Sequence, residues 1–242
     1  MTILLNLLLA HFIADFLLQN RQLVETKKYS VLPILLHSLI VGGLSYIFVR
    51  MLTISVFIFI SHFIIDFAKN RITKYIGKSS TKSQFYITEI LLFVLDQVLH
   101  IAVIIFLLNI FREQILYTSY LHIPENLSII CLAYLVTIWV SGILIGFLTK
   151  PYEIQIKADK ESGLAGAGKT IGQLERFIIL TMILTNNPIG IGFIFTAKSI
   201  FRFENLKKRK LAEYILIGTL YSFVLALAIG YLTKYLLKVV VK

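Results

Sequence analysis

Cysteine occurs once in the 242 residues, at Cys131, which excludes an internal disulfide and any cysteine-rich zinc site. Set inside an apolar run, Cys131 reads as a small core residue. Charge is also scarce. Asp, Glu, Lys and Arg make up 15% of the chain, where a soluble domain carries about 25%. The N-terminus, MTILLNLLLAHFIADFLLQ, lacks a basic leader and a small-x-small cleavage site, so it reads as a retained membrane helix rather than a signal peptide.

What replaces charge is apolar sequence. It reaches 57% of the chain and is gathered into blocks near 2–19, 31–49, 52–68, 86–110, 128–148 and 211–236. Each is about the 17–25 residues that cross a bilayer as a helix. Between the last two blocks, FIILTMIL (177–184) and IGIGFIFTAKSIF (189–201) are separated by Asn186-Asn187-Pro188. Proline breaks the helical ladder and restricts the residue before it, so 171–201 is expected to be a broken, re-entrant pair of half-helices. The expected fold is therefore all-α: a polytopic transmembrane bundle of about six spans plus that hairpin. Residues 1–110 form a four-helix half, and 111–242 form a second half with the broken helix and the last span, 211–236.

The net charge of +11 suggests nucleic acid until the basic residues are placed. With the N-terminus outside and 171–201 entering and leaving by one face, seventeen Lys and Arg fall on the inner side and five on the outer. That asymmetry is the positive-inside pattern, so the excess reports orientation and no nucleic-acid partner is expected. The location expected is a bacterial inner (cytoplasmic) membrane, with membrane lipids as neighbours and association into oligomers left open.

Residues 163–170, GLAGAGKT, match the phosphate-cradling pattern G-x-x-x-x-G-K-[ST] letter for letter. A working P-loop joins a buried strand to a helix N-terminus and needs an Asp at the end of another buried strand. Here only YEIQI alternates in the approach, and LLFVLD (91–96) lies inside an apolar helix block. No stretch outside the membrane is long enough for a parallel sheet. The match is read as accidental, with no nucleotide cofactor. The run of small residues suits close backbone approach instead.

Ionisable groups inside a span cost roughly 2.5–3.5 kcal/mol each on insertion scales, which makes each a functional candidate. The first span carries His11, Asp15 and Gln19, the second His37, the third His62 and Asp66, and the fourth Asp96 and His100. Four of the five histidines and three of the four aspartates are in this set. His and Asp four residues apart share a helix face. The order is H-x-x-x-D, H-x-x-x-D, then D-x-x-x-H, and the fourth span runs opposite to the first and third. Every Asp therefore lies nearer the inner side and every His deeper.

Imidazoles and carboxylates on facing helices are an ordinary way to hold a first-row divalent ion. Seven such groups exceed the needs of one four-coordinate zinc. One or two ions (zinc, manganese or iron) are expected, with His11, His37, His62 and His100 as ligands. Asp15, Asp66 and Asp96 would be ligands or the catalytic general base. A proton or metal-ion pathway through the same groups is the alternative. In the C-terminal half, Glu175, Arg176, Lys198 and Arg202 read as a basic pocket for the head group of an amphiphilic substrate, together with Gln19.

HFIADFLLQ, LLHSLI, SHFIIDF and LDQVLH, followed by AGKTIGQLER, AKSIFRFE and AEYILIGTLYS, resemble a bacterial integral-membrane family known as domain of unknown function 3307. The resemblance covers most of the chain and implies a helical membrane fold but no activity. In style the motifs resemble membrane-bound metal-dependent hydrolases built on intramembrane His and Asp. The functional expectation is a hydrolase acting on a lipid-like phosphoester or ester at the cytoplasmic side.

Overall fold

The structure, a computed structural model, describes residues 1–19, 21–79, 82–115, 117, 120–156, 166–201 and 209–240. Arg202 and residues 163–165 of GLAGAGKT lie outside the described residues. All the described regular elements are helical, with no strand among them. YEIQI, the one alternating stretch before the glycines, is the end of a helix. The helices are α1 (Thr2–Phe12, continued by a π-wound Ile13–Leu18), α2 (Arg21–Thr26), α3 (Leu32–Val49), α4 (Leu52–Ser79), α5 (Lys82–Ile110) and α6 (Arg112–Ile115). They are followed by α7 (Glu125–Leu135), which runs through a π-wound Val136–Val140 into α8 (Ser141–Ile156), then α9 (Ala167–Leu184), α10 (Ile189–Phe201) and α11 (Arg209–Val240).

Five helices are long and apolar enough to cross a membrane: Leu32–Val49, Leu52–Gly77, Tyr86–Ile110, Glu125–Glu153 and Lys210–Val240. The remaining apolar block, Thr2–Leu18, is a shorter helix. The packing is that of a membrane protein. On α3, Leu35, Leu36, Leu39 and Ile47 face outward, while His37, Ser38, Gly42 and Ser45 are buried. Lipid solvates the large apolar side chains, so what drives helices together is close contact of small residues and polar pairing. Cys131 follows the same rule. It is exposed on α7 and is not the core residue its apolar neighbours suggest.

The chain divides into two compact units, Met1–Leu132 and Ala133–Lys242. In the first, α3 and α4 form a tight antiparallel hairpin. Arg50 takes a left-handed conformation (φ 54°) and donates its N–H to the Tyr46 carbonyl (2.7 Å), closing α3 before α4 starts. At Gly42 a Cβ would stand 2.8 Å from Phe59 Cβ and 3.2 Å from the Ser55 carbonyl, so this crossing admits only glycine without displacement. The serines lining it turn back on their own helices: Ser38, Ser45 and Ser55 bond the carbonyls of Ile34, Val41 and Met51 at 2.8–3.0 Å. At the base of α1, buried Asn6 donates to the Leu121 carbonyl (2.7 Å), and the Leu121 N–H pairs with the Phe48 carbonyl (2.9 Å). These bonds pin the connection before α7 to the ends of α1 and α3.

In the second unit the expected helix break is present, and its chemistry is a cap. α9 ends with Asn186 at φ 60°. Its N–H bonds the Ile183 carbonyl (3.2 Å), and the Asn187 N–H reaches the Met182 carbonyl (2.8 Å). This is a Schellman motif with Asn in the left-handed position, followed by a proline that cannot continue the helix. α9 is longer than the apolar run FIILTMIL, because AGKTIGQLER joins it. It runs parallel to α11: Arg176 faces Ser222, Ile183 lies against Gly230, and Asn186 accepts from Lys234. α10 then returns along α9, with Gly190 against Met182.

Candidate metal centre

Four helices of the first unit present their polar residues in layers, because each contributes one face at a spacing of four. His11, His37, His62 and His100 form one layer. Four residues further along the same faces lie Leu7, Val41, Ile58 and Ile104, all buried in one apolar cluster. Four residues the other way lie Asp15, Asp66 and Asp96. The antiparallel order of α1, α3, α4 and α5 turns these separate offsets into stacked layers: apolar, imidazole, carboxylate.

All seven side chains named from sequence meet. The Nε2 atom of each imidazole faces the cluster. His37 Nε2 is 3.1 Å from Asp15 Oδ1 and 3.1 Å from His62 Nε2. His62 Nε2 is 3.5 Å from Asp15 Oδ1 and 3.9 Å from Asp66 Oδ2. His100 Nε2 is 3.7 Å from Asp66 Oδ1 and 3.5 Å from Asp96 Oδ1, and His11 Nε2 is 3.8 Å from Asp15 Oδ2. The His62 and His100 rings stack with centroids 4.0 Å apart. His100 Nε2 and Asp96 Oδ1 are buried and make no hydrogen bond among the described residues. Leaving such ligand-type atoms unpaired is costly unless something else meets them.

Three overlapping groups here could hold a metal ion: His11, Asp15 and His62; His37, His62 and Asp66; and Asp66, Asp96 and His100. His62 belongs to the first two and Asp66 to the last two, so the groups form a chain rather than separate sites.

The π-wound stretch Ile13–Leu18 contains Asp15. An ideal α-helix would stack Asp15 over His11. In this wider turn its carboxylate stays 3.8 Å from His11 and also comes 3.1 Å from His37 and 3.5 Å from His62. Insertions of this kind are frequent at functional sites, but no residue type announces one.

Sequence reasoning also missed three partners. Gln97 accepts from His11 Nε2 at its amide oxygen (3.3 Å), and its amide nitrogen donates to Asp15 Oδ2 (3.3 Å) and Asp96 Oδ2 (3.1 Å). It lay inside the quoted LDQVLH and could have been found. Lys69 Nζ is 2.7 Å from Asp96 Oδ2 and stands three residues after Asp66 on the same face, a findable signal. Lys27 Nζ is 2.6 Å from Asp66 Oδ2 and comes from the turn after α2, where nothing in the spacing points to it. Gln19 ends α1. With its amide turned to suit its neighbours, it donates to the Asp15 backbone carbonyl (3.1 Å) and accepts from Lys27.

Glu175, Arg176 and Lys198 belong to the second unit. Lys198 pairs with Glu175 (2.6 Å). Arg176 is buried, and its guanidinium donates from Nε to the Thr137 carbonyl (2.8 Å), from Nη2 to the Ile138 carbonyl (2.8 Å) and from Nη1 to Ser222 Oγ (3.4 Å). Thr137 and Ile138 lie in the π-wound stretch, where the wider winding changes the usual backbone pairing. Gly142 and Gly172 make room: a Cβ at Gly142 would stand 2.7 Å from Nη2, and one at Gly172 3.2 Å from Nη1.

Residues 3–126, just over half of the chain, match the model of a family described as "Protein of unknown function (DUF3307)", and the chain belongs to that family. The matched stretch contains the whole His/Asp set and stops short of AGKTIGQLER, AKSIFRFE and AEYILIGTLYS. No curated protein and no solved structure matches the chain.

Proposed function

We propose that this member of the DUF3307 family is a metal-dependent hydrolase that cleaves a phosphoester or ester of a lipid-like amphiphile from the cytoplasmic side of a membrane. The observation that carries the reading is the convergence of four imidazole Nε2 atoms and three carboxylates at separations of 3.1–4.0 Å. Ligands about 2.0–2.1 Å from a shared zinc stand about 3.3 Å apart at the corners of a tetrahedron. The separations sit at and just beyond that length, and most are too long for good hydrogen bonds. His62 and Asp66, each common to two of the three groups, would help to hold one ion or two. A bound ion would polarise a substrate oxygen and lower the pKa of water. The carboxylates not taken up as ligands, from Asp15, Asp66 and Asp96, serve as the general base. Gln97 orients Asp15 and Asp96.

The apolar layer favours an enzyme over the alternative, a transporter of protons or metal ions. Leu7, Val41, Ile58 and Ile104 lie on the cluster's imidazole side, whereas a conduction path needs a polar route on both sides. The test is hydrolysis of short-chain phosphoester and acyl-ester lipids by the metal-loaded protein in detergent. Turnover that a chelator abolishes and that is lost in Asp66→Asn supports the reading. Metal-loaded protein with no turnover on either class, but with metal flux into proteoliposomes, supports the transporter and sinks the hydrolase.

A further inference from the structure

If the cluster holds metal, the layer beyond the carboxylates states what kind of substrate it faces. Lys27 and Lys69 each place an ammonium on a carboxylate of the centre, at 2.6 and 2.7 Å. Exposure rises from the imidazoles (1–3%) through the carboxylates (3–10%) to the Lys27 and Lys69 side chains (12% and 34%). The lysine side is therefore the more open side of the cluster. Lys27 is held at this position by Asn70, which donates to its backbone carbonyl, and by Gln19, which accepts from its ammonium.

Charge decides what that side accepts. Three carboxylates against two ammoniums leave the network one negative charge when the imidazoles are neutral. Metal ligands are deprotonated when they bind. One divalent ion then leaves a net charge of +1, and two ions leave +3. A buried excess of positive charge is costly unless an anion meets it. With its carboxylate given over to an ion, each lysine would be left as a strongly charged donor beside the centre.

We infer that Lys27 and Lys69 are substrate-binding residues that clamp phosphoryl oxygens, so the substrate is a phosphoester and not a neutral carboxylic ester. In its hydrolysis a water oxygen forms the new bond to phosphorus, the bond to the alcohol oxygen breaks, and the proton released by water ends on the departing alkoxide. No oxidant or reductant is needed.

The inference rests on the metal reading, and one experiment separates the two. Full-length protein in detergent is loaded with Mn²⁺ as wild type, Lys27→Gln, Lys69→Gln and the double variant. Manganese affinity is measured by elemental analysis, and binding of inorganic phosphate by its paramagnetic ³¹P relaxation, with acetate as the control anion. Each single substitution is expected to weaken phosphate binding about tenfold or more, the worth of a charge-assisted hydrogen bond. Manganese affinity is expected to hold or rise, because a competing cation has gone. If the lysines only maintained the cluster's shape, both affinities would fall together. Competition by phosphatidic acid far below the concentration needed for glycerol 3-phosphate identifies a lipid phosphate, and equal competition a soluble one; both support the phosphoryl class. Manganese-loaded wild type indifferent to phosphate, or a double variant that binds it equally well, overturns this inference alone. Wild type that takes up no manganese overturns the metal reading and this inference with it.

Discussion

Replacing Arg176 with methionine separates a structural guanidinium from a head-group binder. The substitution keeps most of the side chain's volume and removes its donors. Two bonds of 2.8 Å to the Thr137 and Ile138 carbonyls are lost, and those acceptors are left buried in the π-wound stretch. Bonds from a charged donor contribute about 1.5–3 kcal/mol each. Relief from burying the guanidinium returns part of that, so a net loss of about 3 kcal/mol is expected. For a chain of this size each kcal/mol moves the melting temperature by about 2–4 °C, which gives a fall of about 6–12 °C. Trp139, the sole tryptophan, lies in the same π-wound stretch, so its fluorescence during thermal unfolding in detergent reports on the right place. Gly142→Ala pushes a Cβ to 2.7 Å from Nη2 and should lower stability in wild type. With Met at 176 it should cost much less, because the atom it displaces has gone. A melting temperature of Arg176→Met within about 2 °C of wild type would refute the structural role. Loss of lipid binding at unchanged stability would return Arg176 to the head-group pocket.

Asp66→Asn should lower metal affinity more than His11→Ala, because Asp66 belongs to two of the three overlapping groups and His11 to one; competitive chelator titration measures both. Metal occupancy should fall on acidification, because protons compete with the ion for its ligands, and should recover on return to pH 7.5; elemental analysis after rapid desalting at each pH checks this. Gly42→Leu should disorder the α3–α4 crossing and reduce metal binding although Gly42 carries no ligand, whereas Gly43→Leu, whose Cβ meets nothing within 4 Å, should be tolerated. At Asn186, with φ 60°, valine should destabilise by about 1–2 kcal/mol and glycine should not, which thermal unfolding resolves.

Much of the site was legible because a helix converts sequence spacing into direction. A spacing of four gave the shared faces, and the reversal of His and Asp in the fourth span gave the common level; the structure brings those side chains together. The break at Asn186–Pro188 was legible from Pro188, whereas the left-handed cap at Asn186 comes from the structure. The rest depended on information that side-chain identity does not carry. Neither π-wound stretch has a residue signature, yet one contains Asp15 and the other supplies the carbonyls that Arg176 meets. Lys27 comes from a turn, and a turn has no period from which to project a direction. Cys131 shows the converse: an apolar run identifies a membrane helix but leaves undecided which face meets lipid. The apolar layer at Leu7, Val41, Ile58 and Ile104 followed the same spacing as the histidines, but its residues are unremarkable in an apolar span and only their depth of burial distinguishes them.

The most direct measurement is the metal content of the purified protein in detergent, wild type beside His62→Ala and Asp96→Ala. One or two divalent ions per chain in wild type, reduced in both variants while each remains folded, is the result expected of the His/Asp centre. Wild type that carries no ion and takes up none when offered zinc, manganese or iron would contradict it, and the cluster would then stand as a proton path or as polar pairing between helices.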